Sequence, residues 1–112
     1  MSKHAIRLLA ETVRTLGFAA IGAAYMGVGT AISNPARMIL VQNFTDTAMM
    51  FSFDGVNDHF PLYQYSQLVL DISGNKTSDD GFFLAEGQRL YVREVVAPTL
   101  GDVYLTVFYG KD

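Results

Sequence analysis

The sequence predicts an all-β chain, folded as an antiparallel two-sheet β-sandwich of jelly-roll or Greek-key type with an N-terminal arm. Three observations lead there. Apolar segments of roughly four to nine residues recur at short, fairly even spacing, separated by turns rich in Gly, Pro, Asp and Asn. Side chains alternate within them, most clearly over residues 102–109, DVYLTVFY, where Val103, Leu105, Val107 and Tyr109 share one face and Tyr104, Thr106 and Phe108 the other. No segment after residue 17 carries a helical period. Alternate side chains of some eight strands would then fill the space between two sheets.

Residues 1–14 read as the arm, and residues 15–112 as one sandwich domain. Ile6, Leu9, Val13 and Leu16 follow helical spacing, while Ile6, Leu8, Ala10 and Thr12 alternate as in a strand. An extended arm leading into a strand over residues 12–18 is the reading adopted, and a short amphipathic helix is the alternative. In either form Ile6, Leu9 and Val13 need an apolar surface from this subunit or another, which makes them candidate partner-binding residues.

Residues 18–32 place small side chains at alternate positions, Ala20, Gly22 and Ala24, with Gly27 and Gly29 marking a bend or bulge. Ser33-Asn34-Pro35 is a turn, because Pro35 fixes its own φ and biases Asn34 away from helix. Residues 37–43 and 48–53 read as two strands joined by Phe44-Thr45-Asp46-Thr47 and stopped by Asp54-Gly55, which suggests a β-hairpin. Such a hairpin is too apolar to stand alone. Residues 59–63 form a short strand that Pro61 confines to a sheet edge or strand end. Residues 67–72 form a strand and 73–81 an exposed loop. Residues 82–84 and 88–96 follow as strands, with Leu90 and Val92 alternating with Tyr91 and Arg93, and residues 97–101 turn into the last strand. Phe51, Phe53, Tyr91 and Phe108 are expected in the core. Phe60, Tyr63 and Tyr65 cluster around the presumed edge and are candidate partner-binding residues, since exposed aromatics suit protein interfaces and Tyr also stacks on sugars.

With 112 residues the chain supports one domain and can bury a core without disulfides or metal. Half of it is apolar and 17% is charged, which excludes a disordered chain. The net charge is −3 and no basic run is present, so no nucleic-acid partner is expected. Cysteine is absent, which removes disulfide scaffolds and thiolate metal sites. The apolar stretch 18–32 is too short and too rich in glycine for a membrane span, and no membrane partner is expected.

Catalytic and metal signatures are equally sparse. Asp54, Asp58 and His59 lie close in sequence but lack the spacing of a zinc or calcium loop, and a polar turn explains them. Asp79-Asp80-Gly81 is turn chemistry of the same kind. Ser52 and Ser66 lack a nucleophile motif, and the glycines of residues 22–29 lack the Lys-Ser/Thr of a phosphate loop. No enzyme activity, metal or cofactor is expected.

The stretch NPARMILVQNFTDTAMMFSFDGVNDHF, followed by QLVLDIS and GDVYLTVFYG, resembles small virion structural proteins of tailed bacteriophages. Asn43, Thr45 and Asp46 carry its N-x-T-D turn, and Ser52, Asp54 and Gly55 its S-x-D-G stop. Among these proteins, the capsid decoration or cementing proteins are similar in size, in lack of cysteine and in jelly-roll-like form. The resemblance implies a non-enzymatic protein on the capsid surface of a virion, made in the host cytoplasm. Its partners would be the major capsid protein, whose neighbouring capsomers it clamps, and other copies of itself. A head–tail connector or tail component of the virion and a carbohydrate-binding or adhesin-like module are the alternatives. An arm that orders on docking implies that removing residues 1–14 spares the fold and abolishes lattice binding.

Overall fold

The structure, a computed structural model, describes residues 7–71, 76–77, 81–82 and 87–111. Its strands are β1 (Arg7–Ala10), β2 (Arg14–Gly17), β3 (Met26–Gly27), β4 (Met38–Asn43), β5 (Met49–Ser52), β6 (Phe60–Leu62), β7 (Ser66–Asp71), β8 (Lys76–Thr77), β9 (Gly81–Phe82), β10 (Tyr91–Glu94) and β11 (Asp102–Lys111). A 3-10 turn at Phe18–Ala20 is the one helical element among the described residues.

Two antiparallel sheets pack face to face. In the first, β11 lies between β4 on one side and β1 and β2, end to end, on the other, and β7 completes the order beyond β4. The second runs β3-β10-β5-β6, and β8 with β9 forms a separate ribbon. The pairings nest: β1 and β2 with β11, β3 with β10, β4 with β7, β5 with β6. Alternation explains which residues meet between the sheets. Ile39 and Val41 of β4 and Val103, Leu105 and Val107 of β11 point inward from the first sheet. Met49 and Phe51 of β5 and Val92 of β10 meet them from the second, and Val28, Ile32 and Leu90 close one end. Each such side chain contributes about 1.5–3 kcal/mol by leaving water. Phe60 stacks on Phe51 at 5.1 Å.

The structure departs from the sequence reading in four places. Residues 37–43 and 48–53 are strands, but they do not form a hairpin: β4 pairs with β11 and β7, whereas β5 pairs with β10 and β6. Each run has one buried face, and the turn between them carries the chain from one sheet to the other. Tyr91 and Phe108 lie on outer faces instead of in the core, because their chain neighbours Val92 and Val107 are buried and side chains alternate along a strand. Residues 18–25 are irregular beyond the 3-10 turn. Residues 7–10, read as arm, are the edge strand β1 of the first sheet, and Arg14 begins β2.

Between β1 and β2 the register slips. Ala10 stands opposite Phe108 and Arg14 opposite Leu105, so residues 11–13 face only Thr106 and Val107. One extra residue makes a β-bulge, and the slip decides which side chains face inward. Arg14 is brought inside, opposite Leu105, with 8% of its surface exposed. Its guanidinium meets Glu11 at 2.7 Å and donates to the carbonyls of Thr30 and Ala31 at 2.8 and 2.9 Å. Glu11 also accepts from the Asn34 side chain and the Ser33 backbone. Gly29 lets this happen: its φ is +68°, and a Cβ there would lie 2.7 Å from that of Arg14.

The ion pair thus fastens residues 29–34 to the sheet edge. Removing residues 1–14 deletes an edge strand and this pair, so the truncated chain is expected to lose stability, contrary to the sequence reading. Burial raises the Glu11 pKa, but the bonds from Asn34, Arg14 and Ser33 and the Arg14 charge together bring it below its ordinary 4.5. The unfolded chain therefore takes up this proton first as pH falls. The stabilisation is complete above about pH 4.5 and is lost as pH drops through the folded value. Glu11→Gln is expected to cost about 2–3 kcal/mol at neutral pH, because it leaves Arg14 without its counter-charge. Melting curves from pH 7 to pH 3 should show a smaller acid-induced loss in the variant than in the wild type.

Candidate functional site

Nesting the pairs brings four connections to one end of the sandwich: residues 18–24, 44–48, 63–65 and 95–101. They are bonded to one another. Phe18 N–H donates to Gly101 O, Phe44 N–H to Asp102 O, Val95 N–H to Ala48 O, and Glu94 N–H to Gly22 O. The Thr47 hydroxyl donates to Val96 O at 2.8 Å. Gly101, at φ +95°, packs so closely that a Cβ would come within 2.1 Å of Phe44 O.

Asn43 organises this end. Its side chain is fully buried, and its amide donates to the carbonyls of Thr47, Leu62 and Tyr63 at 2.9–3.2 Å. Its oxygen accepts from the Thr45 N–H and hydroxyl at 3.0 and 2.6 Å. Thr45 is also fully buried, and its hydroxyl oxygen lies 2.9 Å from Thr47 O. The N-x-T-D turn is therefore a polar knot under two loops. Its acidic member, Asp46, accepts from the Thr99 backbone N–H, at 2.9 Å, and from the Thr99 hydroxyl. Those bonds hold the Asp46 carboxyl below the usual carboxylate range.

What this end shows to solvent is apolar. Phe18, Phe44, Tyr63, Tyr65, Val95, Val96 and Leu100 are all exposed, Tyr63 by 76% and Val96 by 61%. The four loops contain one carboxylate, Asp46, and no Glu, Lys, Arg or His. Tyr65 is the one described non-glycine residue with positive φ, +58°. Holding a bulky side chain there costs about 1–2 kcal/mol, and such strain concentrates at functional positions.

The opposite end is polar. Ser52 and Asp54, the S-x-D-G stop, fold residues 53–58 around themselves: Asp54 accepts from Val56 and Asn57 N–H, the Asn57 side chain and the Ser52 hydroxyl. These donors, the Asn57 and Val56 amides first, push its carboxyl far below the ordinary range. His59 Nδ1 accepts from Phe53 N–H at 2.9 Å. Asp58 takes Arg93 at 2.8 Å and the Tyr25 hydroxyl, and the Arg93 bond chiefly lowers its pKa. Every described carboxylate of this loop is occupied with its own turn or with sheet two. A cleft of about 470 Å³ between β6 and β7 is walled by Phe53, His59, Phe60, Leu68 and Leu70, with no converging ionisable groups. Among the described residues no three His, Cys, Asp or Glu side chains gather as metal ligands, and no helix is long and apolar enough to cross a membrane.

The sequence-predicted residues divide. Tyr63 and Tyr65 stand together at the apolar end. Phe60 turns inward onto Phe51 and lines the cleft instead. Val13 sits on the bulge, 49% exposed, and Leu9 faces Tyr109 across the β1–β11 ladder, remote from the tyrosines. Ile6 lies outside the described residues. Phe18, Phe44, Val95, Val96 and Leu100 escape sequence reasoning as site residues. The signal that could have found all but Phe44 is the lack of charge in the turn segments FAAIGAA and VVAPTLG. Asn43→Ala is expected to lose about 2–4 kcal/mol, since it strands a buried amide and hydroxyl together with several carbonyls. Amide exchange in that variant should quicken at residues 44–48 and 63–65 before it does in β11.

No protein-family model, no curated protein and no solved structure matches this chain.

Proposed function

We propose that the chain is a virion structural protein of a tailed bacteriophage, a capsid decoration protein that docks on the major capsid protein through its apolar loop end. The observation that carries this reading is the exposed set Phe18, Phe44, Tyr63, Tyr65, Val95, Val96 and Leu100, on four hydrogen-bonded loops with a single carboxylate. Protein interfaces are depleted of charge at their centre and enriched in aromatics. The loops are held by Asn43 and Gly101, so little ordering entropy is lost on docking. The nesting of the strand pairs, with four connections gathered at one end, supports a jelly-roll reading of the sandwich. The resemblance of residues 34–60 to virion proteins supplies the partner. Weak contacts suffice there, because a lattice presents many identical sites and each bound subunit acts alongside its neighbours.

Tyr63 and Tyr65 also suit sugar stacking, which keeps a carbohydrate-binding module as the second reading. A glycan-binding screen on the purified chain separates the two, and binding that Tyr63→Ala abolishes would favour the sugar.

Tyr63→Lys combined with Val96→Lys should leave the melting temperature within a few degrees of the wild type and abolish co-sedimentation with capsids. Capsid binding at wild-type occupancy would refute loop-end docking. Copies spread over the whole head are expected; a single ring at one vertex would indicate a connector. Tyr65→Asn relieves the left-handed strain, so it should hold or raise stability while weakening capsid binding severalfold.

A further inference from the structure

We propose that His59 is a pH-operated latch on residues 53–59: when neutral it holds the loop closed through the Phe53 amide, and when protonated it releases that amide and turns to Asp54. The inference does not depend on the loop-end docking and concerns the opposite end of the sandwich.

The closed state is set by the direction of one hydrogen bond. A backbone N–H only donates, so His59 Nδ1, which accepts from Phe53 N–H at 2.9 Å, carries a lone pair there. The proton of the neutral ring then sits on Nε2. The His59 backbone N–H donates in turn to Phe51 O at 2.9 Å, so the main chain and side chain of one residue clasp both Phe51 and Phe53. The imidazole lies on the Phe53 ring, with 5.7 Å between centroids and 28° between planes. Because β6 begins at Phe60, this clasp fixes where the chain re-enters the second sheet.

An imidazolium donates from both nitrogens. Protonated in place, Nδ1 would set its N–H against that of Phe53, donor to donor, so the bond is lost whichever way the ring turns. A second partner is already at hand. Nε2 lies 4.0 Å from Asp54 Oδ2, too far for a hydrogen bond and close enough to attract a charged ring. The Asp54 carboxyl is ionised throughout, since the amides of its own turn hold it far below the ordinary range. Asp58 adds a second negative charge nearby, shared with Arg93 of β10 and with the Tyr25 hydroxyl. The other described residues that wall the cleft with His59 are Phe53, Phe60, Leu68 and Leu70, none of which titrates. The His59 side chain is 37% exposed, so water delivers the proton without unfolding the chain. Each protonation state thus has its own preferred partner, which is what a two-state element requires. The same turn of the ring changes one wall of the cleft.

The test is nuclear magnetic resonance of the full chain between pH 8 and pH 5. Glu11, Asp46, Asp54 and Asp58 all titrate below their ordinary values, so they stay ionised over this range. At pH 8 the ring nitrogens of His59 should show the proton on Nε2. At pH 5 both should be protonated, and the Phe53 amide should lose about fivefold in protection against exchange, the worth of one ordinary hydrogen bond, measured against the unfolded rate at each pH. Amides of β4 and β11 should keep their protection. His59→Phe retains a ring against Phe53 and removes the acceptor, so its Phe53 amide should sit at the low level at both pH values. A proton on Nδ1 at pH 8 overturns the proposal. So does a ring still neutral at pH 5, Phe53 protection that survives protonation of the ring, or an equal fall in His59→Phe. Should His59→Phe fail to fold, the wild-type readings decide alone.

Discussion

β11 is hydrogen-bonded along both of its edges, and the rest of the sandwich is arranged by that constraint. Its ten residues pair with β4 on one side and with β1 and then β2 on the other. Val103, Leu105 and Val107 are thereby fixed to the interior, and Tyr104, Thr106 and Phe108 to the outside. Because the last strand meets the first, every intermediate pair nests inside, and the connections fall into two groups at opposite ends. One group keeps the charges, and the other keeps exposed aromatics and valines.

The two polar knots serve this division differently. Asn43 and Thr45 are buried where the chain leaves β4 for the other sheet, and their bonds replace the ladder that a hairpin would have supplied. Asp54 does the equivalent work in the open, where water competes for its donors. The Glu11–Arg14 pair is a third device: it fastens residues 29–34 across the only bulge in the long edge formed by β1 and β2. The Asn43–Thr45 knot satisfies loop backbone groups locally, so the apolar end is held with Asp46, bonded to Thr99, as the single charged side chain of its loops.

Much of this was legible in the sequence. Strand positions follow from single-faced alternation, and Pro61 correctly marks β6 as an edge. Strand partners were not legible, since two apolar runs joined by a short turn satisfy a hairpin and a sheet-to-sheet crossover equally well. The N-terminal ambiguity has a physical origin. Leu9, Arg14 and Leu16 all face inward, but the bulge makes the first interval five residues, which breaks both the strand period and the helical one. Pro61 points to an edge strand, but an edge strand still has one buried face, and Phe60 lies on it against Phe51. The apolar end was glimpsed through Tyr63 and Tyr65. Phe18, Phe44 and the group Val95, Val96 and Leu100 lie in three separate turns, and only the nesting of strands gathers them.

The proposed docking geometry is tested most directly by hydrogen exchange on the chain, free and bound to capsids. Slower exchange confined to the amides of residues 44–48, 63–65 and 95–101, with residues 53–59 unchanged on binding, is the expected result. Protection at residues 53–59 with those three loops unaltered would contradict it.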